Sequence, residues 1–114
     1  MQGMIDQIRP EALKAWFAQQ GDSALVLDVR EPWEVQTASV QADGFDVVCI
    51  PMNTIAGRLD ELPRDTPIAC LCHHGMRSQQ VAAFLVHHGF ETVANIAGGI
   101  DAWSVQVDTQ VPRY

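Results

Sequence analysis

No apolar run in the 114-residue chain approaches the roughly 20 residues that a membrane-spanning helix needs. Met1 to Pro10 lacks a basic start followed by an apolar core, so no secretory signal is expected and the expected location is cytoplasmic. Basic charge is scarce. Lys and Arg number 7 against 14 Asp and Glu, and the formal charge of −7 argues against nucleic acid or an anionic membrane as partner. The three cysteines, at positions 49, 70 and 72, are too few and odd in number for a disulfide framework. Cys70 and Cys72 lie two apart, so strand alternation puts them on one side unless the strand ends between them, and a bond joining them would be strained. Cys49, within Val47-Val48-Cys49-Ile50, is expected to be a buried small hydrophobe. No second Cys or His pair stands at finger spacing, and adjacent ligands at a strand end rarely converge on a tetrahedron, so neither metal nor cofactor is expected. Internal repeats, linkers and low-complexity stretches are also missing. Gly98-Gly99 reads as turn chemistry before a helix, without the further glycines of a phosphate loop.

What is present suits one modest globular domain over residues 1–114, with 47% hydrophobic and 18% charged residues. Ile5 to Ile8 is a brief edge strand. Pro10 opens a helix whose inner face is Leu13, Trp16, Phe17 and Gln20, ended by Gly21-Asp22. Ala24 to Val29 is a strand, and a helical turn starts near Pro32, carrying Trp33 and Val35. Thr37 to Asp46 is loop, and Val47 to Ile50 is a strand. Ile55, Leu59 and Leu62 are spaced for a short helix stopped by Pro63. Ile68 to Leu71 is a buried strand, and from Ser78 a helix presents Val81, Phe84, Leu85 and His88, with Gly89 ending it. His87 and His88 complement the dipole at that helix end. Thr92 to Ile96 is a further strand, and a helix from Gly99 or Ile100 to Val105 turns Trp103 inward. Val111 to Tyr114 has no assignable place. Short apolar runs alternating with helices imply an α/β fold with a mainly parallel central sheet and helices on both faces.

The chemistry gathers at Cys72-His73-His74-Gly75-Met76-Arg77-Ser78, where a strand gives way to a helix. Open α/β sheets place their ligands at such carboxyl ends. A helix start carries a partial positive charge of about half an elementary unit, which favours thiolate on a facing cysteine. Gly75 lets the loop curl so that successive N–H groups form an anion-binding nest. Between Asp65 and Glu91 the only ionisable side chains are Cys70, Cys72, the four histidines and Arg77, a basic spot on an acidic chain. This reading requires that position 72 not be sealed in the interior and that neighbouring N–H groups face it. Arg77 is expected to brace the loop by pairing with Asp28, or else to contact substrate. Arg30, Glu31 and Glu34 are expected at the surface or site rim, and Arg30 is the one of these to test for substrate binding. His73 and His74 are expected to project toward solvent.

These seven residues resemble the active-site loop of the rhodanese family, sulfurtransferases that carry sulfur as a cysteine persulfide. Asp28-Val29-Arg30-Glu31-Pro32-Trp33-Glu34 is similar to the family's first signature, and Asn95-Ile96-Ala97-Gly98-Gly99-Ile100-Asp101-Ala102-Trp103 to its closing one. Thr37 to Phe45 departs from the Gly-His-Ile-x-Gly-Ala-like segment usual there. The resemblance implies a rhodanese-like fold with Cys72 as nucleophile and His73, His74, Gly75, Met76, Arg77 and Ser78 around the bound sulfur, supported by Asp28 and Arg30. It implies a small anionic donor such as thiosulfate, and cyanide, a thiol or a protein, such as a sulfur-relay partner, as acceptor. Two alternatives stand beside it: a non-catalytic binding module on the same fold, and phosphatase or arsenate-reductase chemistry. Relatives of the second kind have a longer loop than the four residues between Cys72 and Arg77.

Overall fold

A computed structural model describes residues 5–21 and 23–114. Five parallel strands form one sheet: β1 (Asp6–Ile8), β2 (Leu25–Asp28), β3 (Asp46–Cys49), β4 (Ile68–Leu71) and β5 (Val93–Ile96). Their order is β1-β5-β4-β2-β3, which puts β4 at the centre. The strands β2, β4 and β5 are buried throughout, the reason each reads as a continuous apolar run. The register aligns Asp28 with Leu71 and Leu27 with Cys70, so β2 and β4 end level with one another.

Helices cover both faces. On one side α1 (Leu13–Gln20) and α4 (Gly99–Gln106) bring Leu13, Trp16, Phe17, Ile100 and Trp103 onto Val26, Ala69, Leu71, Ala94 and Ile96. On the other, α3 (Met76–His87) packs Val81, Ala82 and Leu85 onto Leu25, Leu27, Ile68, Cys70 and Val93. Each Val, Leu, Ile or Phe among them contributes about 1.5–3 kcal/mol when fully buried. Period-two alternation divides β4 between the two cores: Ala69 and Leu71 face α1 and α4, while Ile68, Cys70 and Cys72 face α3. Cys70 and Cys72 therefore share a side, and both thiols are free.

Several local expectations need correction. Pro10 opens a 3₁₀ turn, Pro10–Ala12, ahead of α1, and Gln20 is exposed. Gly21, at φ 128°, follows α1, whereas Asp22 lies outside the described residues. The segment with Ile55, Leu59 and Leu62 forms two 3₁₀ turns, Met52–Gly57 and Leu59–Glu61. The helix after β4 starts two residues before Ser78, and His88 is exposed. Cys49 is exposed because β3 is an edge strand. In α2 (Pro32–Thr37) the buried side chain is Glu34, while Trp33 is 62% exposed. Glu34 is also the third residue of a reciprocal cap with Glu31. The polar loop 38–45 still buries Ala38, Val40 and Phe45, with the Phe45 ring 6.0 Å from Trp103. The last residues have a place after all: Ser104 Oγ donates to the Val111 carbonyl at 2.6 Å, and Val111 is buried. Among the described residues no helix is long and apolar enough to cross a membrane.

The expectation is that Asp28 and Arg30 support the site and that Arg30 lies at the surface or site rim. Both are 1% exposed. The Arg30 guanidinium donates to Asp28 from Nε at 2.9 Å and Nη2 at 2.7 Å, and to the Ala38 carbonyl at 2.8 Å. Asp28 is thus the partner of Arg30, and it does not meet Arg77. Removing one member of such a pair strands a buried charge. Asp28→Ala should lower unfolding free energy in urea by about 3–5 kcal/mol. A loss below about 1 kcal/mol would mean that Arg30 reaches water once freed.

Candidate active site

Four residues, Cys72 to Gly75, join β4 to α3. Gly75 precedes the helix at φ 103°, a left-handed conformation that side chains disfavour. That reversal aims its N–H back at the cysteine, and Gly75 N lies 3.1 Å from Cys72 Sγ. The Ser78 hydroxyl, one helical turn on and fully buried, lies 3.2 Å from the same sulfur. One backbone donor and one hydroxyl meet Sγ, where a ring of successive amides was expected. Cys72 itself is 1% exposed. The requirement of a facing N–H is met, but the requirement of an unsealed sulfur is not met.

The outer side of the loop rests on α4. Ile100 N–H donates to the Cys72 carbonyl at 2.8 Å and Asp101 N–H to the His73 carbonyl at 3.2 Å. Gly98-Gly99 makes this approach possible: a Cβ on Gly99 would stand 2.4 Å from the His73 carbonyl oxygen and 2.5 Å from that of Cys72. Gly99 therefore serves close backbone packing against the cysteine loop, while a Cβ on Gly98 would meet Ala102.

Arg77 meets Glu34. Its Nη1 and Nη2 donate to the two carboxylate oxygens at 2.7 and 2.8 Å, a bidentate pair that ties the start of α3 to α2. Tyr114 O–H donates to Glu34 Oε2 at 2.7 Å and accepts from Arg30 Nη1 at 3.0 Å. Arg77 foremost, and Tyr114 after it, hold the Glu34 carboxyl well below its usual range, at about 2, against the opposing effect of burial. The Arg77 guanidinium is correspondingly held in its charged form by Glu34. Burial pushes the Cys70 thiol strongly up, which leaves it inert as a nucleophile.

Around the rim, the His73 ring is stacked between His74 and Tyr114, with centroids 3.9 Å away on each side. His73 Nε2 is buried without a partner, so only His74 projects to solvent as expected. Met76 is 77% exposed beside the loop. The structure thus brings Cys72, Gly75 and Ser78 together and sets His73 and Arg77 next to them, while Asp28 and Arg30 stand behind. Asn95, Gly99 and Tyr114 build the site without having been singled out for it, and Glu34, expected at the surface or site rim, is buried within it. Asn95 left a signal, as the one polar residue of an otherwise apolar strand, whereas Tyr114 left none.

Comparison with known proteins decides the family. A family model described as rhodanese-like domain matches residues 9–106. The chain belongs to the rhodanese-like family. A sulfurtransferase of Allochromatium vinosum is 34% identical over 101 residues, covering 89% of this chain and 90% of that protein. The thiosulfate sulfurtransferase GlpE of Pseudomonas syringae is 34% identical over 97 residues, covering 85% of each. A rhodanese-related protein of Thermoplasma volcanium superposes with a TM-score of 0.75 at 28% identity, over 90% of this chain and 93% of that one. The rhodanese-like chain accordingly has the fold and the family of single-domain sulfurtransferases.

Gly99→Ala should cost about 2–5 kcal/mol of stability, from an alanine at φ 61° and overlap with two loop carbonyls. Urea unfolding measures this, and a change under about 1 kcal/mol would show that the α4 start gives way easily. Glu34 fixes a pH dependence. Its folded value is depressed, so its stabilisation is complete above the unfolded carboxyl value of about 4.3 and is lost as pH falls toward 2. That contribution is at most about 3 kcal/mol. Glu34→Gln should be less stable than wild type at pH 7 and should flatten the acid limb of the stability curve. Parallel curves for the two proteins between neutrality and acid would contradict the assignment.

Proposed function

We propose that this rhodanese-like chain, acting as a single domain over residues 1–114, transfers sulfane sulfur through a persulfide on Cys72. The observation that carries the reading is Sγ at the carboxyl end of the central strand, with the Gly75 N–H and the Ser78 hydroxyl converging on it. The Cys72 thiolate attacks the outer sulfur of a donor such as thiosulfate. A new S–S bond forms at Cys72, the donor's S–S bond breaks, and its electron pair leaves with sulfite. Cyanide or a thiol, free or on a sulfur-relay protein, then attacks the outer sulfur and returns the electron pair to Cys72 as thiolate. Each step passes one neutral sulfur atom between nucleophiles, and two-step covalent transfer of this kind gives ping-pong kinetics. Backbone N–H groups of the loop stabilise the negative outer sulfur, a preorganised electrostatic effect. Cys72 is 1% exposed, so this reading requires the loop Cys72 to Gly75 to part and admit the donor. Arg77 braces the start of α3 through Glu34 and is thereby kept from gripping an oxyanion. Three free cysteines fit a reducing, cytoplasmic setting.

The closed sulfur favours one rival specifically, a binding module that keeps the fold without turnover. A thiosulfate-to-cyanide assay on wild type, Cys72→Ser and Cys49→Ser separates the readings. Activity is expected in the first and third and none in the second. Thiocyanate production by Cys72→Ser would overturn the assignment of the nucleophile. Aryl phosphate hydrolysis by wild type would favour phosphatase chemistry, and silence in both assays would favour the binding module.

A further inference from the structure

Asn95 projects from the middle of β5 and touches both residues that contact the sulfur, at the Ser78 hydroxyl and the Gly75 carbonyl, without reaching the sulfur itself. Its Nδ2 donates to the Gly75 carbonyl at 3.1 Å and to Gln7 Oε1 at 3.0 Å. A backbone carbonyl can only accept, so the amide has one possible orientation, with Oδ1 facing Ser78. That oxygen lies 2.5 Å from Ser78 Oγ, closer than the 3.2 Å between Ser78 Oγ and Sγ. Ser78 has a single proton. It can make one linear hydrogen bond, to Asn95 or to the sulfur.

We propose that Asn95 is a positioning residue for Cys72: its locked amide draws the Ser78 proton away from Sγ, so that the cysteine rests as a thiol donating to Ser78. Ionisation releases the thiol proton to water, requires the hydroxyl to turn from Asn95 Oδ1 to the sulfur anion, and leaves Oδ1 without its donor. Once the outer sulfur is attached, negative charge moves off Sγ and the hydroxyl returns to Asn95. One serine proton thus swings between two acceptors as the cysteine changes state, and Asn95 sets how readily the thiolate forms. The charged and ionisable groups facing the sulfur are Arg77 on α3, its charge opposed by Glu34 on α2, Cys70 on β4, and His73 in the loop with Tyr114 stacked on it. None of them is altered in the test below. The inference takes its catalytic meaning from the sulfurtransferase reading, yet its test follows ionisation and not turnover, so either can fail alone.

The test is a pH titration of thiolate ultraviolet absorbance in a Cys49→Ser background, with Cys72→Ser as blank. Freeing Ser78 to serve the anion, Asn95→Ala should move the Cys72 midpoint down by about half to one pH unit, the difference between a neutral and a charge-assisted hydrogen bond. Asn95→Asp keeps the shape, binds the serine proton more strongly and should move the midpoint up. Ser78→Ala should also move it up. In the Ser78→Ala background, the Asn95→Ala shift should vanish and the Asn95→Asp shift should shrink. A purely structural Asn95 would show shifts independent of Ser78. An upward or absent shift in Asn95→Ala, or shifts of equal size with and without Ser78, would overturn the proposal. Should Asn95→Ala not fold, the Asn95→Asp pair decides by the same comparison.

Discussion

The seat of α4 on the cysteine loop is the constraint from which the rest of the site follows. Two amides at the start of that helix, those of Ile100 and Asp101, are spent on the carbonyls of Cys72 and His73. Peptide units are planar and trans, so turning those carbonyls toward α4 turns the N–H groups of His73 and His74 to the opposite side of the loop. Gly75, in the left-handed conformation, then reverses the chain and brings its own N–H to the sulfur. Gly99 can carry no side chain without entering the carbonyls it faces, and a Cβ on Gly75 would stand 3.2 Å from the Gly98 nitrogen, a looser approach. The sulfur's surroundings are therefore fixed by a helix nearly thirty positions further along the chain, and only secondarily by the loop's own residues.

A second layer holds this arrangement through buried charge. Asp28, Arg30, Tyr114, Glu34 and Arg77 form one hydrogen-bonded chain from β2 through α2 to the start of α3. Burying ions costs several kcal/mol each, and the cost is offset only where nearly every donor and acceptor is matched. Arg30 meets that condition with bonds to Asp28, the Glu34 and Ala38 carbonyls, and Tyr114. The chain also changes the electrostatics of the nucleophile. Arg77 near a thiolate would be a strong attraction by itself, but a carboxylate 2.7 Å from its nitrogen cancels much of that field at longer range. Stabilisation of a sulfur anion then falls mainly to close dipoles, the Gly75 N–H and the Ser78 hydroxyl.

This division of labour explains what could be read from the residues alone. The strand Ile68 to Leu71, the following helix and the cysteine between them are local features, each written in a few neighbouring positions by periodicity and by Gly75. The parallel sheet follows from the alternation of short apolar runs with helices. The partner of Arg77 was another matter. Asp28 was a reasonable choice at the end of an adjacent strand, but it is satisfied by Arg30 two residues away, and Glu34 faces inward because α2 exposes its apolar Trp33 instead. Cys49 looked like core because Val47 to Ile50 is apolar, and nothing local distinguishes an edge strand from a central one. Tyr114 acts through contacts with Arg30, Glu34 and His73 that span most of the chain, beyond the reach of any periodic pattern.

The same geometry bears on what kind of atom the site suits. An oxyanion with three oxygens needs donors spread around a wide loop and an arginine free to clasp two of them. Here both terminal nitrogens of Arg77 are committed to Glu34, and the two polar groups nearest the cysteine converge on Sγ itself. The space beyond Sγ is bounded by a loop that four residues close between β4 and α3. Such a loop has few amides left to offer, and they serve one added atom better than a phosphoryl group. A single added atom with one negative charge matches that supply in both number and direction.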